Sequence, residues 1–173
     1  IPFYQGDSGS IYTHDVSGTD SAATENTAYG FNALDAITTG DNNSAFGKSA
    51  LTSNTTGLHN TGIGRESLRD NTTASGNTAL GQSSMAANTT GTRNLAIGFA
   101  AYNSSDTEND NIAIGYDAMT TNTAGGTKNI ALGNYALDAL TSGDQNVVVG
   151  YEAGTAVTTA GANTLVGHTA GDA

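Results

Sequence analysis

A large apolar residue recurs along this chain with a fixed period. The series is Tyr29, Phe46, Ile63, Leu80, Ile97, Ile114, Leu132, Val149 and Val166, spaced by 17 residues except for one interval of 18. Each member lies three positions after an asparagine, in the series Asn26, Asn43, Asn60, Asn77, Asn94, Asn111, Asn129, Asn146 and Asn163, and one position before a glycine. Positions are numbered below from that asparagine. A second large column stands at +8, as Leu34, Leu51, Leu68, Met85, Tyr102, Met119 and Leu137, with Gly154 and Gly171 in the last two units. Positions +2 and +7 are mostly Ala or Ser. A polar stretch closes each unit, for example "NTTG" at 54–57 and 88–91.

Internal repetition at such a period is the signature of stacked architectures. The unit reads as a short strand, a glycine corner, a second short segment and a loop. Gly and Asn are expected to supply positive φ in that loop. One unit cannot bury its apolar face alone, whereas units stacked in register bury it as side-chain ladders. The fold class expected is all-β, a parallel β-solenoid or β-roll of about nine coils, roughly 40 Å long at about 4.8 Å per coil. Seventeen residues hardly hold two helices and two turns, so a helical solenoid is disfavoured. Two ladders are predicted to be buried, Ile97, Ile114, Leu132 and Val149 in one and Leu34, Leu51, Leu68 and Met85 in the other. Each glycine at +4 is expected at a corner, with positive φ or close to a neighbouring backbone.

The strand carries a further feature. Leu95, Ile112, Ile130 and Val147 at +1 share a face with the large column at +3, and Ala or Gly at +2 occupies the other face. Both faces are thus suited to packing, one inside the coil and one against a neighbouring chain. The sequence leaves open which does which. Two large residues per coil hardly offset the entropy of ordering the rest, at about 25 cal/mol per Å² of apolar area. A homotrimer, in which a closed threefold arrangement covers the second face, is the expected assembly.

Charge narrows the partners. The chain of 173 residues has five Lys and Arg against sixteen Asp and Glu, a formal charge of −11. Nucleic acid and anionic membrane surfaces are therefore disfavoured. No apolar run approaches the ~18 residues of a membrane span, and "IPFYQGDSGS" has no signal-peptide pattern. The chain has no cysteine, which excludes disulfides and thiolate metal sites.

The motifs "NIAIG", "NLAIG" and "NIALG" resemble the head repeats of trimeric autotransporter adhesins, although units in that family are shorter. The fuller pattern "NTAYGFNALDAITTGDNNSAFGKSALTSNTTG" is similar to repeats of phage tail-fibre proteins, especially those of marine phages. The resemblance covers residues 26 to 171. It implies a trimeric fibre on a virion or another extracellular surface, in a spacer and host-attachment role, with a host cell-surface glycan or protein as the further partner. Such fibres often carry a self-cleaving chaperone domain, which this sequence lacks; a fragment or a cleaved product is therefore expected. Residues 1–25 fall outside the repeat and read as a cap or a linker from a preceding shaft, and 26–173 as the repeat domain.

Candidate chemistry is sparse. His14, His59 and His168 have no partners at metal-ligand spacing and read as surface residues. Asp106, Glu108 and Asp110 alternate along one loop and could hold calcium, but a solvated turn is the plainer reading. Glu66, Asp117 and Glu152 share position +6 without falling in consecutive units, and nothing suggests a glycosidase cleft around them. Rows of threonine, Thr38, Thr55, Thr72 and Thr89 beside Thr39, Thr56, Thr73 and Thr90, raise ice binding. Adjacent residues point to opposite faces, however, so turn chemistry is favoured. Aromatic residues at +5 (Phe31, Phe99, Tyr116 and Tyr151) could stack on sugars, or fill a trimer interface, which is preferred. No catalytic, cofactor or metal residue is assigned, ligand-binding residues stay unassigned, and an enzyme is not expected. The alternative to a structural fibre is a glycan-binding or ice-binding module.

Overall fold

A computed structural model describes residues 4–5, 9–13, 22–121 and 125–172. Its strands form one sheet of eleven, in sequence order. They are β1 (Tyr4–Gln5), β2 (Ile11–Tyr12), β3 (Thr27–Tyr29), β4 (Ser44–Phe46), β5 (Thr61–Ile63), β6 (Thr78–Leu80), β7 (Leu95–Ile97), β8 (Ile112–Ile114), β9 (Ile130–Leu132), β10 (Val147–Val149) and β11 (Thr164–Val166). β1 and β2 are antiparallel. Every later pair is parallel, and from β3 onward equivalent repeat positions lie opposite each other, as in Ala96↔Ala113 and Ile97↔Ile114. The chain is a parallel β-solenoid of nine coils, numbered 1 to 9 from Asn26 to Asn163.

Each coil has one strand, not two. The expected second segment is a run of tight turns, which still bonds from coil to coil. Leu34 N–H donates to Ala50 O, Ala36 N–H to Thr52 O and Thr38 N–H to Thr55 O. In the other direction Gly47 N–H donates to Tyr29 O and Ser49 N–H to Phe31 O. Backbone pairing therefore continues around the coil, where an isolated turn would leave these groups to water.

The interior corrects one predicted ladder. Leu34, Leu51, Leu68 and Met85 are fully buried, as expected. Ile97, Ile114, Leu132 and Val149 are not; Leu132 is 42% exposed and the other three are half-buried on the outer face. It is Ala28, Ala45, Ala79, Ala96, Ala113 and Ala131 at +2 that point inward and are buried. The physical reason is width. Between the strand and the turn opposite it there is room for one large side chain per layer, supplied at +8, so the strand points Ala or Gly inward and turns its bulky residues outward; Ile37 and Leu140 at +11 are buried elsewhere in coils 1 and 7, beside the loop glycines Gly40 and Gly143. Coils 8 and 9 exchange the two roles. Val148 and Leu165 stand at +2, and Gly154 and Gly171 at +8. A Cβ on Gly171 would lie 2.5 Å from Leu165 Cδ1, and one on Gly154 3.1 Å from Leu137 Cδ2 and 3.3 Å from Val148 Cγ1.

The turns depend on left-handed residues that are mostly not glycine. The +8 column is itself left-handed, as in Leu34 (φ 54°), Leu51 (52°), Met85 (52°) and Leu137 (51°). Position +6 is left-handed too, as in Asp117 (50°), and so is the residue before the asparagine, as in Arg93 (58°). Such residues cost about 1–2 kcal/mol each in isolation and persist where packing over-determines them. The +4 glycines all have positive φ, and all but Gly167 also stand against the backbone of the next coil. Gly115 has φ +142°, and a Cβ there would stand 2.3 Å from Gly133 O in the next coil. Among the loop glycines Gly76 (φ +72°) and Gly125 (+104°) are left-handed as expected, but others have a different reason. Gly40, Gly57 and Gly91 do not have a left-handed φ, but a Cβ on any of them would meet a carbonyl of the next coil at 2.3 to 2.4 Å.

Asparagine carries the polar part of the core. Asn43 N–H donates to Asn26 Oδ1 (2.8 Å) and Asn43 Nδ2 to Gly57 O (2.9 Å), so each residue ties its strand to its own loop and to the coil before. The backbone link repeats through Asn163 N–H to Asn146 Oδ1. A second, shorter ladder at +11 links Asn54, Asn71 and Asn88. It stops at Ser105, whose hydroxyl donates to Tyr102 O, and Asn88 Oδ1 is left buried without a partner.

Candidate binding surface

The outer strand face is an apolar strip along the solenoid axis. Position +3 is large and apolar in all nine coils, whereas +1 is Thr or Ser in coils 1–4 and Leu95, Ile112, Ile130 and Val147 in coils 5–8. The strip is therefore widest in the second half. Among its exposed members are Phe46, Ile63, Leu80, Ile130, Leu132 and Val147. A continuous exposed row of this kind is unusual on a monomeric soluble protein.

Beyond the glycine corner runs an aromatic ladder. Phe99 and Tyr116 stack with ring centroids 5.3 Å apart, and Tyr151 and His168 stack at 5.6 Å. Tyr135 joins them edge-on, 5.4 Å from Tyr116 and 6.0 Å from Tyr151. Coil 7 is the exception that makes this possible, because its aromatic residue stands at +6 and Asn134 holds +5. Asn134 Oδ1 accepts the Tyr116 backbone N–H at 2.9 Å, which fixes the register of the two coils there. Phe99, Tyr116 and Tyr151 are each more than two-fifths exposed.

Two of the three +6 carboxylates lie beside this ladder. Burial pushes the Asp117 carboxyl up from its ordinary value, against a hydrogen bond from Tyr116. The charge of Asp117 in turn raises the Tyr116 phenol, and a hydrogen bond to Glu152 raises that of Tyr151. Glu66 is elsewhere, paired with Arg65 at 2.8 Å. Asp117 and Glu152 are two coils apart, so they do not form a pair within one layer.

The remaining candidates are separated by the fold. Asp106 is exposed, Asp110 is paired with Arg93 at 2.6 Å, and Glu108 is turned inward and buried. Glu108 accepts the backbone N–H groups of Asp106 (3.1 Å), Thr107 (3.2 Å) and Gly125 (3.0 Å). The solvated-turn reading holds for Asp106 but not for Glu108. Among the described residues no group of three His, Cys, Asp or Glu side chains could hold a metal ion. The added residue of the longer unit falls between Thr121 and Gly126, because Asn111 Nδ2 reaches Gly126 O at +15 where other coils bond at +14. The Glu108–Gly125 bond braces that wider loop. The threonines divide as the alternation predicted. Those at +12 donate to the next coil, as Thr55 Oγ1 does to Thr72 O at 3.1 Å, and Thr39, Thr56, Thr73 and Thr90 at +13 are exposed. Only one outward row results, not the two of an ice-like array. His59 and His168 are exposed, and His14 lies outside the described residues.

The +3 strip was visible in the sequence but was assigned to the wrong side. The Tyr135 link was missed because it leaves the +5 column. Its only signal was the Asn134–Tyr135 exchange. No family model, curated protein or solved structure matches the chain.

Proposed function

We propose that the chain is a spacer segment of a self-assembling fibre, of the phage tail-fibre kind that its repeats resemble, working as a homotrimer on a virion or another extracellular surface. The observation that carries this reading is the inversion of the strand. Its +3 residues face outward along the whole solenoid, and its alanines face inward. Covering that strip with two further copies would remove it from water, at roughly 25 cal/mol per Å². Closed threefold symmetry leaves no copy with an unmatched strip. The Asn ladders and the coil-to-coil backbone bonds suit a stiff spacer, since each layer is bonded to the next on every side. A structural role is preferred to a catalytic one because Asp117 and Glu152 sit on an exposed ridge, two layers apart. Attachment to a host, through a glycan or a protein, belongs to the same reading.

Sedimentation equilibrium at micromolar concentration, on the wild type and on Ile114→Lys, tests it. The expected result is a trimer for the wild type, and a monomer with unchanged far-ultraviolet dichroism for the variant. A folded wild-type monomer would overturn the fibre.

A further inference from the structure

We propose that the ridge formed by Phe99, Tyr116, Tyr135 and Tyr151, with Asp117 and Glu152 beside it, is a docking surface for a linear glycan whose sugars carry protonated amino groups. Its geometry is periodic, with one ring per coil, and it runs along the axis. A periodic ridge without an enclosing wall fits a polymer better than a single small molecule. The rings give exposed aromatic surface for sugar C–H groups to cover; Phe99 and Tyr116 are stacked on each other, whereas Tyr135, at 64° and 85° to its neighbours, is stacked on neither. Because coil 7 exchanges its +5 and +6 residues, the +6 row reads Asp117, Tyr135, Glu152 in three consecutive coils. A ring with a carboxylate on either side is an attractive place for an ammonium group, which gains from the π face as well as from the charges.

Charge selects the sign of the ligand. The ion pairs among the described residues use Arg65, Arg69 and Arg93, all on the N-terminal side of the ladder. After Arg93 the chain has one cationic Lys or Arg, Lys128, against Asp106, Glu108, Asp110, Asp117, Asp138, Asp144, Glu152 and Asp172. At the ridge itself the carboxylates are Asp117 and Glu152, which would repel a polyanionic glycan. A basic peptide is a poorer occupant than a glycan. Extended peptides gain affinity from main-chain bonds to a free sheet edge. Here the strands pair with their neighbours above and below, so the side of the solenoid presents no such edge.

The proposal needs the solenoid but not the trimer. Three probes are titrated calorimetrically into the full chain at mildly acidic pH and low salt: the glucosamine hexamer, its fully N-acetylated counterpart, and hexalysine. Mass is read by sedimentation on the same samples. The expected result is binding of the glucosamine hexamer at least about tenfold tighter than either of the others, a difference of ~1.4 kcal/mol. Asp117→Asn/Glu152→Gln lowers that affinity about tenfold with unchanged dichroism, and Tyr135→Ala lowers it likewise. Absence of glucosamine-hexamer binding, equal binding of hexalysine, or affinity undiminished in the Asp117→Asn/Glu152→Gln variant would each overturn the proposal. A monomer that binds the hexamer upholds this site and removes the trimer; a trimer that does not bind it does the reverse.

Discussion

At the scale of the residue, the fold rests on backbone conformations that side chains rarely accept. The +8 column contains Leu, Met, Tyr and Gly but no Val, Ile or Thr. Its φ near +50° disfavours them, because a β-branched side chain is an outlier there, and Thr169 at +6 is the one β-branched residue with such a φ among the described residues. The strand column at +3 has no such constraint and uses Ile and Val freely. The +4 glycines combine two requirements, and the last one separates them. Gly115 and Gly167 have similar φ, +142° and +133°, but a Cβ on Gly167 would meet nothing closer than 3.9 Å. Gly167→Ala should therefore cost only conformational strain, roughly 1–3 kcal/mol. Gly115→Ala must also push away the Gly133 carbonyl, and should cost at least ~3 kcal/mol. Thermal unfolding of both variants checks this; equal losses would assign the whole effect to φ.

At the scale of the element, the space between the strand and the turn opposite it has a single large occupant in each coil. That occupant comes from the turn segment in coils 1–7 and from the strand in coils 8 and 9. Val148→Ala should open a cavity in coil 8 and cost roughly 1–3 kcal/mol. Gly154→Leu alone should overpack the same layer against Val148, whose Cγ1 would lie 3.3 Å from the new Cβ, at ~1–3 kcal/mol. The double variant recreates the Ala–Leu arrangement of the earlier coils, and φ +70° at Gly154 is already on the side that Leu adopts elsewhere. It should recover most of both losses, with a coupling of about 1 kcal/mol or more in a double-mutant cycle. Strict additivity would mean that the two positions do not share one space.

At the scale of the whole molecule, an acidic surface is balanced against stacked layers. Asp117 and Asp138 both have carboxyl groups raised by burial, and for Asp138 the charges of Asp172 and Glu152 add to this. A raised carboxyl destabilises the folded state when ionised. The penalty is therefore absent below the unfolded value of 3.8, grows as pH rises from there to the folded value, and is complete above it. Asp110 opposes this, since its bond to Arg93 lowers its carboxyl and contributes stability that is lost in acid. Asp138→Asn should accordingly stabilise the protein at neutral pH by a few tenths of a kcal/mol. The gain should vanish below pH 3.8, as measured by chemical denaturation across pH. A gain that persisted in acid would show that charge is not its cause.

Much of this protein was legible in one dimension. The asparagine–glycine period determined the coil, the parallel register and the ladder at +8, because any other pairing of a 17-residue repeat would misalign every column at once. The same columns held a record of the left-handed turns and of the volume exchange in coils 8 and 9, although only pairing them across the coil gives that record meaning. What the tertiary structure alone decided was direction. Alternation along β8 says that Ile112 and Ile114 share a face and Ala113 has the other, but not which face is interior. That depends on the width of the closed coil, which is set by the turns opposite the strand and by Leu or Met projecting from them. The same closure turned Glu108 inward while leaving Asp106 in solvent, and it brought Tyr135 into a ladder that its own column did not predict.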